Sequence, residues 1–377
     1  LILFQYVFNT KYKFVPSRPF HGDHIFNPYA SIDSSNWKKA NFHIHTKEWW
    51  GLSNGRKNQS QSVDSLYSYL GYDIINISDY QFVNNFEHNR KYFIPEYEHG
   101  YLFPKNHQLV LDTHTVRWLD YLFPETRDNE QSVINTLKAD SGSLVAIAHP
   151  VFNHAYSGND IKSISGYDCL EILNQNHFSI QCFDSALSAG RLTYILADDD
   201  CHNISDIYQV GRCCTFVNSS VDKSSVLDAL KNGKTFGADI YMHDYETNET
   251  KQQIIKSLPV LTSVDVKNDT LTVRLSANAK SFTFIGQNGE IKKTVINSAG
   301  ALYAIQKNDT YVRTQIICDD STVYYLNPVF RYDGIQPIHY FNVEDKPKTA
   351  TWRIAGILSL SLIYFLFKKK KKAHLNF

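Results

Sequence analysis

One change of rhythm constrains the fold of this 377-residue chain more than any other feature. From about Asn41 to Gly237, short β-branched or apolar runs alternate with helical stretches, and after about Lys251 apolar residues recur at every second position. Residues 42–45, 73–78, 108–112, 144–149, 168–173 and 193–197 read as strands, and 62–70, 130–139, 180–189 and 224–232 as helices between or after them. Strand and helix in turn imply a mostly parallel sheet, and this many repeats predict an α/β fold built on a distorted, TIM-like β/α barrel. The later runs, 262–266, 270–275, 281–285, 292–296, 311–318 and 322–326, are separated by Asn-Asp, Asn-Gly and Asp-Asp turn signals and predict a small all-β sandwich. The expected organisation is an N-terminal extension over 1–36, a catalytic-type unit over 37–245 and an accessory β-sandwich over 252–343. A short linker then leads to a membrane anchor over 350–372.

The two ends carry the membrane signals. Residues 354–367 are predominantly apolar and are followed at once by five lysines, 368–372. Extended through Ala350 to Arg353, with Trp352 at the interface, the segment approaches the roughly 20 residues that a bilayer helix requires. By the positive-inside tendency the lysines stay cytoplasmic, so everything before the helix is expected outside the cytoplasm, as in a periplasmic domain. The apolar start, Leu1 to Phe8, fits either an export segment or a first strand.

Composition narrows the function classes. Lys plus Arg equals Asp plus Glu, 38 against 38, so a nucleic-acid polymer is not implied as a partner. The six cysteines show no Cys-x-x-Cys spacing and define no disulfide framework. Tyr (24) and Phe (23) are abundant, so bulky aromatics are expected in packing and in the walls of any cleft.

The chemistry-bearing residues lie where the early strands end. In Phe42-His43-Ile44-His45-Thr46, alternation along a strand sends both imidazoles to the same side, which makes a metal site the first expectation. Asp79 follows in Ser78-Asp79-Tyr80, Glu98 in Tyr97-Glu98-His99-Gly100, and His107 in His107-Gln108-Leu109-Val110-Leu111. His149 follows in Ala148-His149-Pro150, and Asp200 and His202 in Asp200-Cys201-His202. Taken in order over roughly residues 38–244, these motifs resemble those of the PHP family, named for polymerase and histidinol phosphatase.

That resemblance implies a distorted barrel with a cluster of two or three metals that hydrolyses phosphate esters. Carried over by motif, His43, His45, Glu98 and Asp200 would hold one divalent metal, and Glu98, His107 and His149 a second, with Glu98 bridging and Glu96 as the alternative bridge. Imidazole and carboxylate donors suit zinc, manganese or iron, and such a pair can activate a water while neutralising phosphate oxygens. The chain departs from the family pattern at Tyr80, where His is usual, and at Asn54 in the loop after His-x-His. A third metal, near His202, is therefore expected to be absent or loose. Asp79 and His202 are the expected catalytic helpers, Asp79 as a carboxylate that orients a ligand histidine. Glu171 also resembles a family position, with a structural hydrogen-bonding role as the alternative.

Lys47 and Arg212 are the expected phosphate contacts, with Trp49 and Trp50 able to stack a base or sugar ring. The expected activity is that of a membrane-anchored phosphoesterase acting on a small phosphorylated metabolite or nucleotide. Two other readings stay open: a non-catalytic binding protein on a degenerate barrel, and a metal-dependent hydrolase of a non-phosphate bond.

Overall fold

The structure is a computed structural model that describes residues 2–374 apart from 54, 104, 124, 141, 176 and 336–338. The expected β/α barrel is not formed; two open sheets stand in its place. The first has six strands, ordered Tyr194–Asp198, Cys169–Asn174, Leu144–Ile147, Gln108–Leu111 and Glu96–His99, with His177–Phe178 paired to the second of these. The first three are parallel, whereas Gln108–Leu111 runs antiparallel to both its neighbours, Leu144–Ile147 and Glu96–His99. Chain length accounts for the last reversal, because residues 100–107 are too few for the crossover of about a dozen or more that parallel pairing requires.

The second sheet has 11 strands. It runs from Ile74–Ile75 and Trp37–Asn41 through Cys213–Asn218, Thr235–Asp239 and Val323–Leu326 to Tyr311–Cys318, Thr270–Ile285 and Leu261–Lys267. The strands expected to form a separate sandwich are thus part of a sheet that begins beside the His-x-His motif, joined by pairing of Phe236 with Leu326 and Gly237 with Tyr325. Period-two patterning identifies a strand and its buried face, but not the strand that it pairs with.

Helices cover these sheets where the sequence supplies caps and an apolar stripe. Ser60–Leu70 buries Val63, Tyr67 and Leu70. Arg127–Leu137 opens with a reciprocal Thr126/Asn129 capping box, and Lys223–Asn232 opens on Asp222, whose side chain accepts from the Ser225 amide. The helix Asn248–Ser257, which the periodicity did not reveal, fills the junction at about Lys251. The core divides into two clusters, one around Leu109, Val145, Ile172 and Ile195, the other around Ile44, Tyr67, Phe236 and Phe282. All six cysteines are buried free thiols.

The first residues form neither a strand nor an isolated tail: Ile2–Phe8 is a helix packed on the C-terminal helix Lys346–His374. Within that long helix Lys346–Leu366, 21 residues, is long and apolar enough to cross a membrane by length and composition. At 1.5 Å per residue that stretch covers about 30 Å, the thickness of a bilayer's hydrocarbon core.

Candidate metal centre

The two sheets meet at isolated bridges, Ile44 with Cys201 and Tyr80 with Glu98. The His45 amide donates to the Cys201 carbonyl at 3.0 Å, Ser78 to Ile44 at 3.0 Å, and Gln81 to Glu98 at 2.8 Å. These bonds place the ends of four segments side by side, and the side chains that project there are the expected donors.

His43, His45, Glu98, His107, His149, Asp200 and His202 all fall in one cluster. Its overlapping triads are His43/His45/Glu98, His43/His149/Asp200, His45/Asp200/His202 and Glu98/His107/His149, each with donor atoms within 4.8 Å of one another. The Nε2 atoms of His43 and His45 are 3.2 Å apart. The His45 Nε2 lies 3.0 Å from Glu98 Oε2 and 3.1 Å from Asp200 Oδ1, and the His43 Nε2 lies 3.2 Å from Asp200 Oδ1 and 3.4 Å from Glu98 Oε1. Around an ion with bonds of about 2.1 Å, donors at right-angle to tetrahedral spacing are about 3.0–3.4 Å apart, so the set fits a divalent metal. Beside it, Glu98 Oε1 is 2.6 Å from His107 Nδ1 and 3.2 Å from His149 Nε2. Glu98 therefore spans two donor groups, while Glu96, buried two residues earlier, makes no such contacts and has its carboxyl pushed well above the usual range by burial.

Electrostatics keeps the array charged in spite of its burial. Desolvation opposes ionisation of Glu98 and Asp200, yet the surrounding imidazoles, His107 and His43 foremost, hold both carboxyls well below the usual range. Burial likewise pulls His45 down, but hydrogen bonds and charge from Asp200 and Glu98 win and raise it to about 9. His202 goes the other way, to about 4, because burial outweighs its single close carboxylate, Asp200 Oδ1 at 3.3 Å. Glu98 Oε2 and Asp200 Oδ1 are buried and share one imidazole nitrogen, His45 Nε2, at 3.0 and 3.1 Å, which leaves lone pairs that a cation would satisfy.

A second layer fixes the donors. His43 donates from Nδ1 to Glu171 Oε1 at 2.8 Å, which leaves its Nε2 lone pair for the cluster. The other Glu171 oxygen accepts from the His149 amide at 2.7 Å and from Asn174 at 2.9 Å. Asp79 was expected in this orienting role, but its oxygens are taken by the Thr46 amide and hydroxyl, at 2.5 and 2.7 Å, and by Asn84 at 2.9 Å. It shapes the turn after His45 and touches no ligand imidazole. Asn58 ties that turn to the His202 loop, donating to the His45 carbonyl and accepting from the Ile204 amide.

Backbone geometry is bent to suit. His149 and Asp200 have φ of 27° and 49°, a region that costs non-glycine residues about 1–3 kcal/mol each. Two glycines permit close approach: a Cβ on Gly55 would meet the His45 carbonyl carbon at 2.5 Å, and one on Gly100 would meet His107 Cδ2 at 2.5 Å.

Of the expected substrate contacts, Arg212 is corrected. Its guanidinium donates to the Met242 carbonyl at 2.6 Å and the His243 carbonyl at 3.3 Å, and Arg191 is similarly spent on the Lys162 and Val15 carbonyls. Lys47 is exposed and is not among the described residues of the adjoining cleft. That cleft, about 370 Å³, is lined by Trp49, Tyr80, Tyr101, Lys105, His107 and Trp118 among others. Lys105 and Trp118 lie in stretches without periodicity or motif, so no local signal marks them as cleft residues. Tyr80 stacks on His45 with ring centres 4.4 Å apart, as does His202. Asn54, the other expected departure from the family pattern, lies outside the described residues.

No protein-family model matches this chain, and no curated protein matches it. Among solved structures it is similar to PsfC from Pseudomonas syringae PB-5123, at 12% identity and a TM-score of 0.37, over 59% of this chain and 96% of that one. That likeness is too distant to transfer a fold or a function.

Proposed function

We propose that this chain is a membrane-anchored, metal-dependent phosphoesterase of the PHP type, with the cluster outside the cytoplasm. The observation that carries the reading is the convergence of five histidines on two carboxylates, Glu98 and Asp200, at metal-donor spacing. Two divalent ions, bound by His43, His45, Glu98 and Asp200 and by Glu98, His107 and His149, would supply an activated water and neutralise phosphate oxygens. Glu171 holds the His43 tautomer. Lys105, in the wall beside His107, offers an ammonium to the anionic end of a substrate. The five lysines 368–372 near the end of the C-terminal helix support a cluster on the far side of the membrane from the cytoplasm, by the positive-inside tendency.

A second reading, hydrolysis of a non-phosphate bond, is favoured by one feature: Arg191 and Arg212 are turned to backbone carbonyls, so Lys105 is the single cation among the described residues of the cleft. Metal analysis of the full chain, paired with turnover of 4-nitrophenyl phosphate and 4-nitrophenyl acetate, separates the two. The phosphoesterase reading expects bound metal and chelator-sensitive phosphate release that His149→Ala lowers by about 100-fold or more. Bound metal with turnover of the acetate alone would replace it by the second reading, and a protein that binds no metal would sink both.

A further inference from the structure

Two residues that line the cleft beside the cluster, Leu52 and Trp118, are exposed apolar side chains, and Trp50, Phe103 and Phe123 follow lining positions in the chain by about one, two and five residues. Trp50 is 92% exposed, Leu52 84%, Phe103 64%, Phe123 56% and Trp118 53%. Single exposed apolar residues are ordinary, whereas a run of them around a cleft mouth marks a surface that meets something apolar. The rings are linked: Trp118 lies 6.0 Å from Trp49 and 5.9 Å from Tyr101, whose hydroxyl donates to the Trp118 carbonyl.

From Trp118 the chain leads to the short helix that packs on the long apolar one. Five residues on, the Phe123 amide donates to the Tyr6 hydroxyl at 2.8 Å, and the two rings are 6.0 Å apart. Even fully extended, five residues span at most about 18 Å. Tyr6 belongs to the helix Ile2–Phe8, whose Tyr6 carbonyl accepts from Trp352 Nε1 at 2.7 Å. Bare Gly356 faces Val7, where a Cβ would meet the valine at 2.6 Å. Lys11 bonds to Thr349 and Arg353 to Thr10, so the two helices run antiparallel and Ile2–Phe8 lies beside the apolar span, with Phe4 58% exposed.

We infer that the cleft takes an amphiphile resident in the bilayer, a lipid phosphate ester. Its head reaches the cluster at His107, its hydrocarbon lies along Trp49 and Trp118, and the aromatic rim rests on the membrane. Aromatic rings are at home at that depth, and the rim's position next to the membrane helix selects the bilayer over a soluble partner. The bond cleaved rests on the phosphoesterase reading; the seating of the rim does not. In the reaction the water oxygen bonds to phosphorus, the phosphorus–oxygen bond to the lipid alcohol breaks, and a water proton ends on that alcohol.

The test uses the full chain, metal-loaded, in phosphatidylcholine vesicles containing phosphatidic acid. A fluorophore on Phe103→Cys is compared with one on Ile296→Cys in the long strands, which is selective because the native thiols are buried. Nitroxide at a shallow acyl-chain position should quench the Phe103 label several-fold more than the Ile296 label, and equal quenching overturns the seating. The exposed double variant Phe103→Ser/Phe123→Ser should lose about 10-fold or more of phosphatidic acid turnover while 4-nitrophenyl phosphate changes less than about two-fold. Equal losses, or cleavage of the aryl phosphate with none of the lipid, overturn the amphiphile assignment. Cleavage of neither sinks the phosphoesterase reading, and the quenching ratio then decides the seating by itself.

Discussion

The region around the cluster and the region of long strands solve the same backbone problem with different residues. In the strands from Leu261 to Leu326, the left-handed positions are Asn268, Asp269, Asn288, Asn297 and Ser321, mostly the Asn and Asp whose short side chains tolerate that conformation. Around the cluster they include Trp49, Trp50, Gln81, Lys105 and Gln175, bulky residues with little such tolerance, beside His149, Asn153, His154 and Asp200, types that enter it more readily. One region is regular and spends turn residues on turns. The other accepts strain where side chains must converge, as bistable or ligand-holding sites do.

The sharpest way to break this contrast is Glu98→Gln, which removes the carboxylate shared by four histidines. Metal affinity, followed by competition with a chelator, should fall by about 1,000-fold or more, about 4 kcal/mol, whereas the long strands should keep their amide-exchange protection. Phe282→Ala is the converse, because Phe282 is fully buried in the long-strand core. Denaturant unfolding should show a loss of about 3–5 kcal/mol with metal stoichiometry unchanged in the folded fraction. Unchanged stability would mean that the long strands contribute little to the cooperative fold.

Smaller effects sharpen the picture. Glu171→Gln keeps the shape but weakens the hold on His43 and the His149 amide, so metal affinity should drop by about 10- to 100-fold with stability nearly constant. Glu130 supplies a pH signal outside the cluster: burial raises its carboxyl to about 9. Because the folded value lies above the unfolded one, the group contributes no penalty below about pH 4, and a growing one as pH rises from there towards 9. Glu130→Gln should therefore leave the melting temperature unchanged at pH 4 and raise stability by roughly 1–2 kcal/mol at pH 8. An equal gain at both pH values would assign the effect to packing.

The local elements were legible where periodicity and caps coincide. The helix expected over 180–189 is Ile180–Ser188, that over 224–232 is Lys223–Asn232, and the strand expected over 311–318 is Tyr311–Cys318. Glu96–His99 was missed because its four residues, all buried, show no alternation. The barrel was inferred from alternation and from the family resemblance, and neither reports that Gln108–Leu111 runs antiparallel to both its neighbours. Arg212 looked free in the sequence because nothing local reveals that its guanidinium would find two carbonyls about 30 residues away.

By itself the sequence determined residue chemistry and local rhythm: histidines and carboxylates at strand ends, an apolar terminal segment, and a switch from mixed to period-two patterning. These follow from side-chain type and spacing, which act over a few residues. Only the tertiary structure decided that Glu98 rather than Glu96 joins two donor groups, and that Glu171 rather than Asp79 holds a ligand histidine. It also decided that the cleft opens near the paired terminal helices. Those outcomes depend on which strands pair and how the two sheets meet, and pairing over a hundred or more residues is set by the packing of the whole core rather than by any one segment.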